Sequence, residues 1–342
     1  MAIHDQKEIF GKKEDLFPDI IGQEKVKEQI KSAMIMGRHI IIVGQPGIGK
    51  TTLAKNIAKS LPDITVNDCQ FNCDPNQPIC PSCKAKNTTK KKKIKGDERF
   101  IRIQGSPELT VEDILGDIDP IKALKFGSLS MEAFTPGKIF KANNGVLFFD
   151  EVNRCSEKLQ NALLQVLQEG TATIGSYDVD FPANFIFIGT MNPEDIATEP
   201  LSSVFLDRFD LVYMAYPESD EMETEIVKAN GNSIEVAFED NLLALVVLFV
   251  RLLRESEKLQ RHPGVRASIG LYERSQANAY LKGRKSVAFE DIKEAIVSVL
   301  SHRIELKPSI KYLQSPEDFI SKEFTDFVRH HPEFEEYESG CL

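Results

Sequence analysis

The segment Gly44-Gln45-Pro46-Gly47-Ile48-Gly49-Lys50-Thr51 joins a β-branched run at 39–43 to a stretch patterned as a helix at 51–60. A strand, a glycine-rich turn and a helix in that order leave few folds open, because the spacing G-x-x-x-x-G-K-[ST] is a phosphate-binding loop. Its glycines let backbone N–H groups converge on phosphate oxygens with no side chain in the way. The positive end of the following helix points at the same anions. Lys50 is placed to neutralise the β- and γ-phosphates, and the Thr51 hydroxyl to hold Mg²⁺. ATP and Mg²⁺ are therefore the expected cofactors, and Gly44, Gln45, Pro46, Gly47, Ile48, Gly49, Lys50 and Thr51 the expected nucleotide contacts.

The rest of the chain repeats this alternation. FIRIQG, GVLFFDE (145–151), ANFIFIGTMN (183–192) and LVYMAYP (211–217) read as further strands, and 24–36 and 158–169 as helices. Strands alternating with helices predict an α/β domain with a parallel sheet covered on both faces, a P-loop NTPase fold, over 1–218. Three segments interrupt it. Residues 67–99 are rich in cysteine and then lysine, 109–144 form a long insertion, and 171–182 (TATIGSYDVDF) alternate like a hairpin. After Pro217 the strand signals largely stop. Helical patterns at 239–258, 265–282 and 289–300 predict a smaller all-helical domain over 219–305, followed by an extension and acidic tail at 306–342.

Hydrolysis needs an activated water beside the γ-phosphate. The apolar run Val146-Leu147-Phe148-Phe149 ends in Asp150 and Glu151. Asp150 is suited to position Mg²⁺ through its water shell, and Glu151 to polarise the attacking water. Asn192 ends the next strand, where a neutral amide can hold that water or the γ-phosphate without changing the local charge; the alternative is a turn asparagine before Pro193.

Together these residues resemble the AAA+ ATPases, from about residue 20 to about residue 302. The resemblance makes Asp150 and Glu151 the Walker B pair and Asn192 the sensor-1 residue. Leu206-Asp207-Arg208-Phe209-Asp210 resembles the segment carrying the arginine finger, which implies that Arg208 reaches the γ-phosphate of a neighbouring subunit. A structural ion pair between Arg208 and a flanking aspartate is the competing reading. Gly264-Val265-Arg266-Ala267-Ser268 resembles the sensor-2 motif, with Arg266 as the phosphate contact and Arg261 and Arg274 as rivals. Ile20-Ile21-Gly22-Gln23 resembles the segment packing on the adenine, through Ile21; a plain helix-entry turn is the alternative. The implied fold is an AAA+ α/β domain with a C-terminal helical lid, and the implied assembly is a homo-oligomeric ring, expected to be a hexamer.

The hairpin before the Asn192 strand and the insertion containing GDIDPIKAL and EAFTPGKIFKANNG are similar to the magnesium chelatase ATPase subunit and its MoxR-like relatives. That resemblance implies a motor for metal insertion, with a von Willebrand factor A domain partner and a large tetrapyrrole-binding subunit. The alternative is a MoxR-like chaperone that assembles or activates another protein. The four cysteines, the lysine run and RIQGSPELTVEDI depart from photosynthetic chelatase subunits, which leaves the substrate open but not the motor.

Composition bears on the other classes. The net charge of −10, from 42 Lys+Arg against 52 Asp+Glu, does not favour a nucleic-acid motor. No run reaches the ~18 apolar residues of a membrane span. The first residues resemble neither a signal peptide nor a presequence, so a cytoplasmic location is expected. Of six cysteines, Cys69, Cys73, Cys80 and Cys83 fall within fifteen residues. Four thiolates with a C-x₂-C half suit a zinc site, with an iron–sulfur cluster or unligated thiols as alternatives. The lysines of 84–95 carry no interleaved aromatic residue and read as a solvated charge run.

Overall fold

The β-branched run forms strand β1 (His39–Val43), and Ile40, Ile41 and Ile42 are fully buried. A strand apolar on both faces belongs in the middle of a covered parallel sheet. The computed structural model places it there, and it describes residues 3–85, 90–127, 130, 132–173, 180–193, 201–332, 334 and 337. The other strands are β2 (Phe100–Gln104), β3 (Val146–Asp150), β4 (Ile186–Met191) and β5 (Phe209–Tyr213). They pair in the order β5-β1-β4-β3-β2, every pair parallel. The register sets Val43 beside Met191 and Tyr213, and Gly189 beside Phe149. The carboxyl ends of β1, β3 and β4 therefore lie together where the strand order reverses, the place where open α/β sheets bind ligands.

Helix α1 (Glu24–Ile35) and helix α2 (Lys50–Ser60) flank this sheet. α2 buries Leu53, Ala54, Ile57 and Ala58 on one face, the stripe that ties its first turn firmly to the strands. Helix α3 (Glu157–Glu169) buries Leu159, Leu163 and Val166 and ends at Gly170 in the left-handed conformation, φ 63°. Thr171–Thr173 then pairs antiparallel with Asp180–Pro182, the base of the expected hairpin; its tip at 174–179 lies outside the described residues.

Both insertions are built on short antiparallel pairs. Ile64–Asn67 pairs with Lys91–Ile94, bracketing the cysteine-rich segment. In the second, Thr110 caps Val111–Leu115 reciprocally with Asp113, Gly116–Ile118 pairs with Phe134–Pro136, and Pro120–Phe126 is a short helix capped by Asp119.

The chain divides into two compact units, Met1–Gly44 with Gly49–Met214, and Gln45–Ile48 with Ala215–Leu342. The second is built from α4 (Asp220–Asn230), α5 (Asp240–Glu255), α6 (Val265–Leu281), α7 (Phe289–Leu300) and α8 (Pro316–His330). The described residues of 306–337, expected as an extension beyond the helical domain, instead pack into its core. Phe319, Ile320, Phe324, Phe327 and Val328 recur at helical spacing along α8 and are buried, and Phe334 of the acidic tail is only 4% exposed. Glu223 of α4 is fully buried and takes both arms of Arg254 (2.8 and 3.0 Å) and the Ser268 hydroxyl (2.7 Å), while Arg254 lies over the Tyr216 ring. Among the described residues no helix is long and apolar enough to cross a membrane.

Candidate functional site

The glycine loop leaves β1 and enters α2 through two left-handed residues, Gly47 (φ 84°) and Gly49 (φ 98°), a conformation costly for side chains carrying Cβ. The Gly44 N–H donates to the Met191 carbonyl (3.1 Å), and the Met214 N–H to that of Val43 (2.8 Å), so neighbouring strands brace the loop. Lys50 Nζ donates to the Gly44 carbonyl at 2.5 Å, which holds the ammonium over the loop's own backbone. Thr51 follows on the first turn of α2. Asp19 accepts from Asn56 (3.1 Å) and Lys59 (2.8 Å) of α2 and so draws the 19–23 segment against that helix. Within that segment Ile20, buried, reaches Gly49, while Ile21 stays half-exposed. Gly22 and Gln23 are both left-handed (φ 68° and 62°) and turn the chain into α1.

Asp150 and Glu151 stand at the carboxyl end of β3, where the buried run 146–149 gives way to partly exposed residues. The Thr190 hydroxyl, fully buried on β4, links the two. It donates to Asp150 Oδ1 (2.7 Å) and accepts the Glu151 N–H (2.9 Å). Glu151 itself is left-handed, φ 57° and ψ 52°, an uncommon place for a non-glycine residue. Its carbonyl presses against Gly105, where a Cβ would come within 2.1 Å. The backbone therefore turns sharply, and the Glu151 side chain leaves the strand in its own direction.

Two residues of β2, Arg102 and Gln104, complete this corner. Arg102 Nη2 donates to Asp150 Oδ2 at 2.6 Å, and Gln104 Nε2 to Glu151 Oε2 at 3.0 Å. Arg154 adds a contact to Glu151 Oε2 at 3.2 Å. Sequence reasoning did not single out Thr190, Arg102, Gln104 or Arg154. Arg102 and Gln104 flank buried Ile103 on β2, but the register that sets Gln104 beside Asp150 is not visible in the sequence. Asn192 follows β4 directly and is half-buried, one step beyond the level where Met191 meets Val43.

Arg208 occupies the other end of the sheet. It precedes β5, and Phe209 is in register with His39 at the start of β1. Gly44 lies five residues further along, about 16 Å at ~3.3 Å per residue. Asp210 is committed to Arg38, at 2.7 and 3.1 Å, and not to Arg208. The Asp207 carboxylate stands 3.8 Å from Arg208 Nη1, too long for a hydrogen bond. Arg208 Nε is buried with no acceptor among the described residues. The competing reading, a structural ion pair with a flanking aspartate, is met only by this long contact to Asp207.

In the second unit, which includes loop residues 45–48, Arg266 runs along Gly47: a Cβ on that glycine would lie 2.9 Å from Arg266 Cγ and 3.4 Å from its Nε. Arg261 is engaged with the His302 carbonyl at 2.7 Å, and Arg274 is two helical turns further along α6. Of the three arginines, Arg266 is the one brought to the loop. Arg303 sits close enough that the Arg266 charge, second to burial, lowers its pKa.

The glycines that a Cβ would obstruct fit a phosphate cradle, and the hydroxyl of Thr51 with the carboxylate of Asp150 is a hard-oxygen donor set of the kind Mg²⁺ takes. The four sulfurs of Cys69, Cys73, Cys80 and Cys83 converge separately, all within 4.8 Å of one another.

Residues 80–211 match the profile of the ATPase family associated with various cellular activities (AAA), 254–323 that of the AAA lid domain, and 16–95 that of magnesium chelatase, subunit ChlI. A magnesium-chelatase subunit ChlI homolog of Methanocaldococcus jannaschii is 31% identical over 321 residues, covering 85% of this chain and 86% of the relative. The chloroplastic magnesium-chelatase subunit ChlI-2 of Arabidopsis thaliana is 29% identical, covering 85% and 76%. Among solved structures, a point mutant of Thermotoga maritima RuvB aligns over 84% of this chain and 74% of its own at a TM-score of 0.50 and 18% identity, a likeness of fold.

Proposed function

The chain belongs to the magnesium-chelatase ChlI family of AAA ATPases, and from that premise we propose that it hydrolyses ATP as a homo-oligomeric ring. A hexamer is the expected size, and the work done is metal insertion or the remodelling of a partner. The observation that carries this reading is Arg208. It is about 16 Å of strand away from its own phosphate loop, and its buried Nε has no acceptor among the described residues. That placement supports a role toward a phosphate bound by a second copy of the chain.

In this reading the loop amides and Lys50 bind the β- and γ-phosphates, and Thr51 and Asp150 hold Mg²⁺. Mg²⁺ supplies charge neutralisation of the phosphates when bound. Glu151 accepts a proton from water as its oxygen bonds to the γ-phosphorus. The bond to the β–γ bridging oxygen breaks, and ADP and phosphate leave. Asn192 positions the water, Arg266 senses the phosphates from the helical unit, and Ile21 lies on the adenine side. Arg208 of the adjoining copy stabilises the transferring phosphoryl group.

The M. jannaschii and Arabidopsis relatives are named as subunits of magnesium chelatase or homologs of one. We place this chain likewise in a larger assembly, with a von Willebrand factor A domain protein and, where chelation is the outcome, a large tetrapyrrole-binding subunit. A second reading, a MoxR-like chaperone acting on a protein, is favoured by the insertion helix Pro120–Phe126. That helix turns Ile121 (79% exposed) and Leu124 (91%) outward, as a protein-contacting surface would. A reducing compartment such as the cytoplasm suits four neighbouring cysteines that stay unbridged.

The test is ATP turnover per chain against protein concentration. Turnover should rise steeply on assembly, and Glu151→Gln should bind ATP, stay assembled and lose about 10²-fold or more in rate. A monomer with full turnover at every dilution would overturn the proposal.

A further inference from the structure

The cysteine-rich segment has no core of its own to account for its shape. It hangs from the two-stranded pair Ile64–Asn67 and Lys91–Ile94, whose second strand is three lysines and an isoleucine. Isolated two-stranded pairs are marginal in water. Yet Cys73, Cys80 and Cys83 are 0%, 4% and 5% exposed, and Cys69 is half-buried beside them. Phe71, Cys73, Cys80 and Cys83 join the apolar core of the α/β unit, but apolar packing alone does not call for four sulfurs to meet at one point.

Their surroundings are those of metal thiolates. The Cys73 N–H donates to Cys69 Sγ, the N–H groups of Ile79 and Cys80 both donate to Cys73 Sγ, and the Cys83 N–H donates to Cys80 Sγ, each at 3.4 Å. A neutral thiol is a weak acceptor, whereas a metal-bound thiolate welcomes such donors. Spacing selects the kind of centre. A tetrahedral ion with metal–sulfur bonds of about 2.3 Å sets its sulfurs about 3.8 Å apart. A multi-iron cluster distributes its cysteines over separate irons and needs wider spacing. Four sulfurs within 4.8 Å of one another suit a single ion. With four protein ligands the site is closed, so its role is structural. Binding to four thiols releases four protons and leaves a centre of net charge −2. The lysine strand is tied to the segment where the Lys90 carbonyl accepts the Asp68 N–H next to Cys69 (3.0 Å).

The segment is also attached to the second insertion. Phe71 lies between the first two cysteines and is 6% exposed. Its ring centroid is 5.4 Å from that of Phe140 and 6.3 Å from that of Phe134, which opens the insertion's return strand. Asn143 Nδ2 reaches the Phe71 carbonyl at 3.5 Å, and Asn72 Nδ2 the Lys141 carbonyl at 3.5 Å. Asn72 is left-handed (φ 44°), a sharp turn immediately after Phe71.

We propose that Cys69, Cys73, Cys80 and Cys83 bind a single zinc ion, and that this ion holds Phe71 under the 109–144 insertion, fixing the insertion to the ATPase unit. The metal is a clip between the two interruptions of the α/β fold. It stands apart from phosphoryl transfer and does not depend on the function proposed above.

The test uses the full chain, purified under reducing conditions. Metal analysis should find about one zinc per chain, and the cobalt-exchanged protein should show the intense visible bands of tetrahedral tetrathiolate Co²⁺. Extraction of the metal with a mercurial should quicken proteolytic cleavage within 109–144 by about tenfold or more, with ATP binding by the same sample retained. Metal-free protein with four freely alkylated thiols, iron with acid-labile sulfide, or disulfides among the four would each overturn the zinc site. Metal release with no change in cleavage would overturn the clip. Because cobalt exchange and extraction are done on the parent protein, the result stands even where Cys80→Ser fails to fold.

Discussion

At the scale of single residues, the corner where Asp150, Glu151 and Thr190 meet shows how two adjacent carboxylates are given different tasks. Thr190 Oγ1 donates to Asp150 and accepts from the Glu151 backbone, so Asp150 is held in line with the sheet while the left-handed turn at Glu151 sends the base elsewhere. Gln104 then donates to Glu151 Oε2 at 3.0 Å, and Arg154 stands 3.2 Å from the same oxygen. Each donor occupies a lone pair of the oxygen that would accept the water's proton. Gln104→Leu should therefore raise basal ATP turnover about 2- to 10-fold, equivalent to ~0.5–1.4 kcal/mol for one hydrogen bond, with ATP affinity unchanged. Steady-state kinetics beside nucleotide titration measure this, and a fall in turnover would show that Gln104 orients the base. Lys50, Asp150 and Glu151 were legible in the sequence because their spacing is local. Thr190, Arg102 and Gln104 were not, because each meets its partner through strand register between segments about 40 to 50 residues apart.

At the scale of elements, several helices were readable to within a residue or two, as α2, α6 and α7 show. α8 was missed as a core element although Phe319, Ile320, Phe324, Phe327 and Val328 form an apolar stripe at helical spacing; the polar residues between them and the acidic tail that follows masked it. The helical unit also carries a buried ion knot that no periodicity reveals. Glu223 is 0% exposed and bonded to Arg254 and Ser268, with Arg251 at 3.7 Å. Removing one partner leaves a buried charge uncompensated. Glu223→Ala should destabilise the helical unit by about 3–5 kcal/mol, read from its urea unfolding by circular dichroism. Adding Arg254→Leu should recover part of that loss, since replacing both partners removes the stranded charge. A double variant no better than the single would show that the loss comes from packing rather than charge.

At the scale of the whole molecule, strand order decides what one chain can do alone. The order β5-β1-β4-β3-β2 gathers the phosphate loop, Asp150, Glu151 and Asn192 at the carboxyl ends of three adjacent strands. The same order strands Arg208 at the opposite end of β1, on the edge strand. The motif around Arg208 could be recognised in the sequence, but its distance from its own loop could not, because that follows from the His39–Phe209 register. The account's central claim is that a nucleotide is completed by two copies. Mixing Arg208→Ala with Lys50→Ala chains tests it most directly. Each variant alone should be nearly inactive, since one lacks the finger and the other the phosphate-binding lysine. Mixed assemblies should regain turnover, because an intact loop of the first then meets an intact arginine of the second. Full turnover by Arg208→Ala alone, or no recovery in mixtures shown to co-assemble, would contradict it.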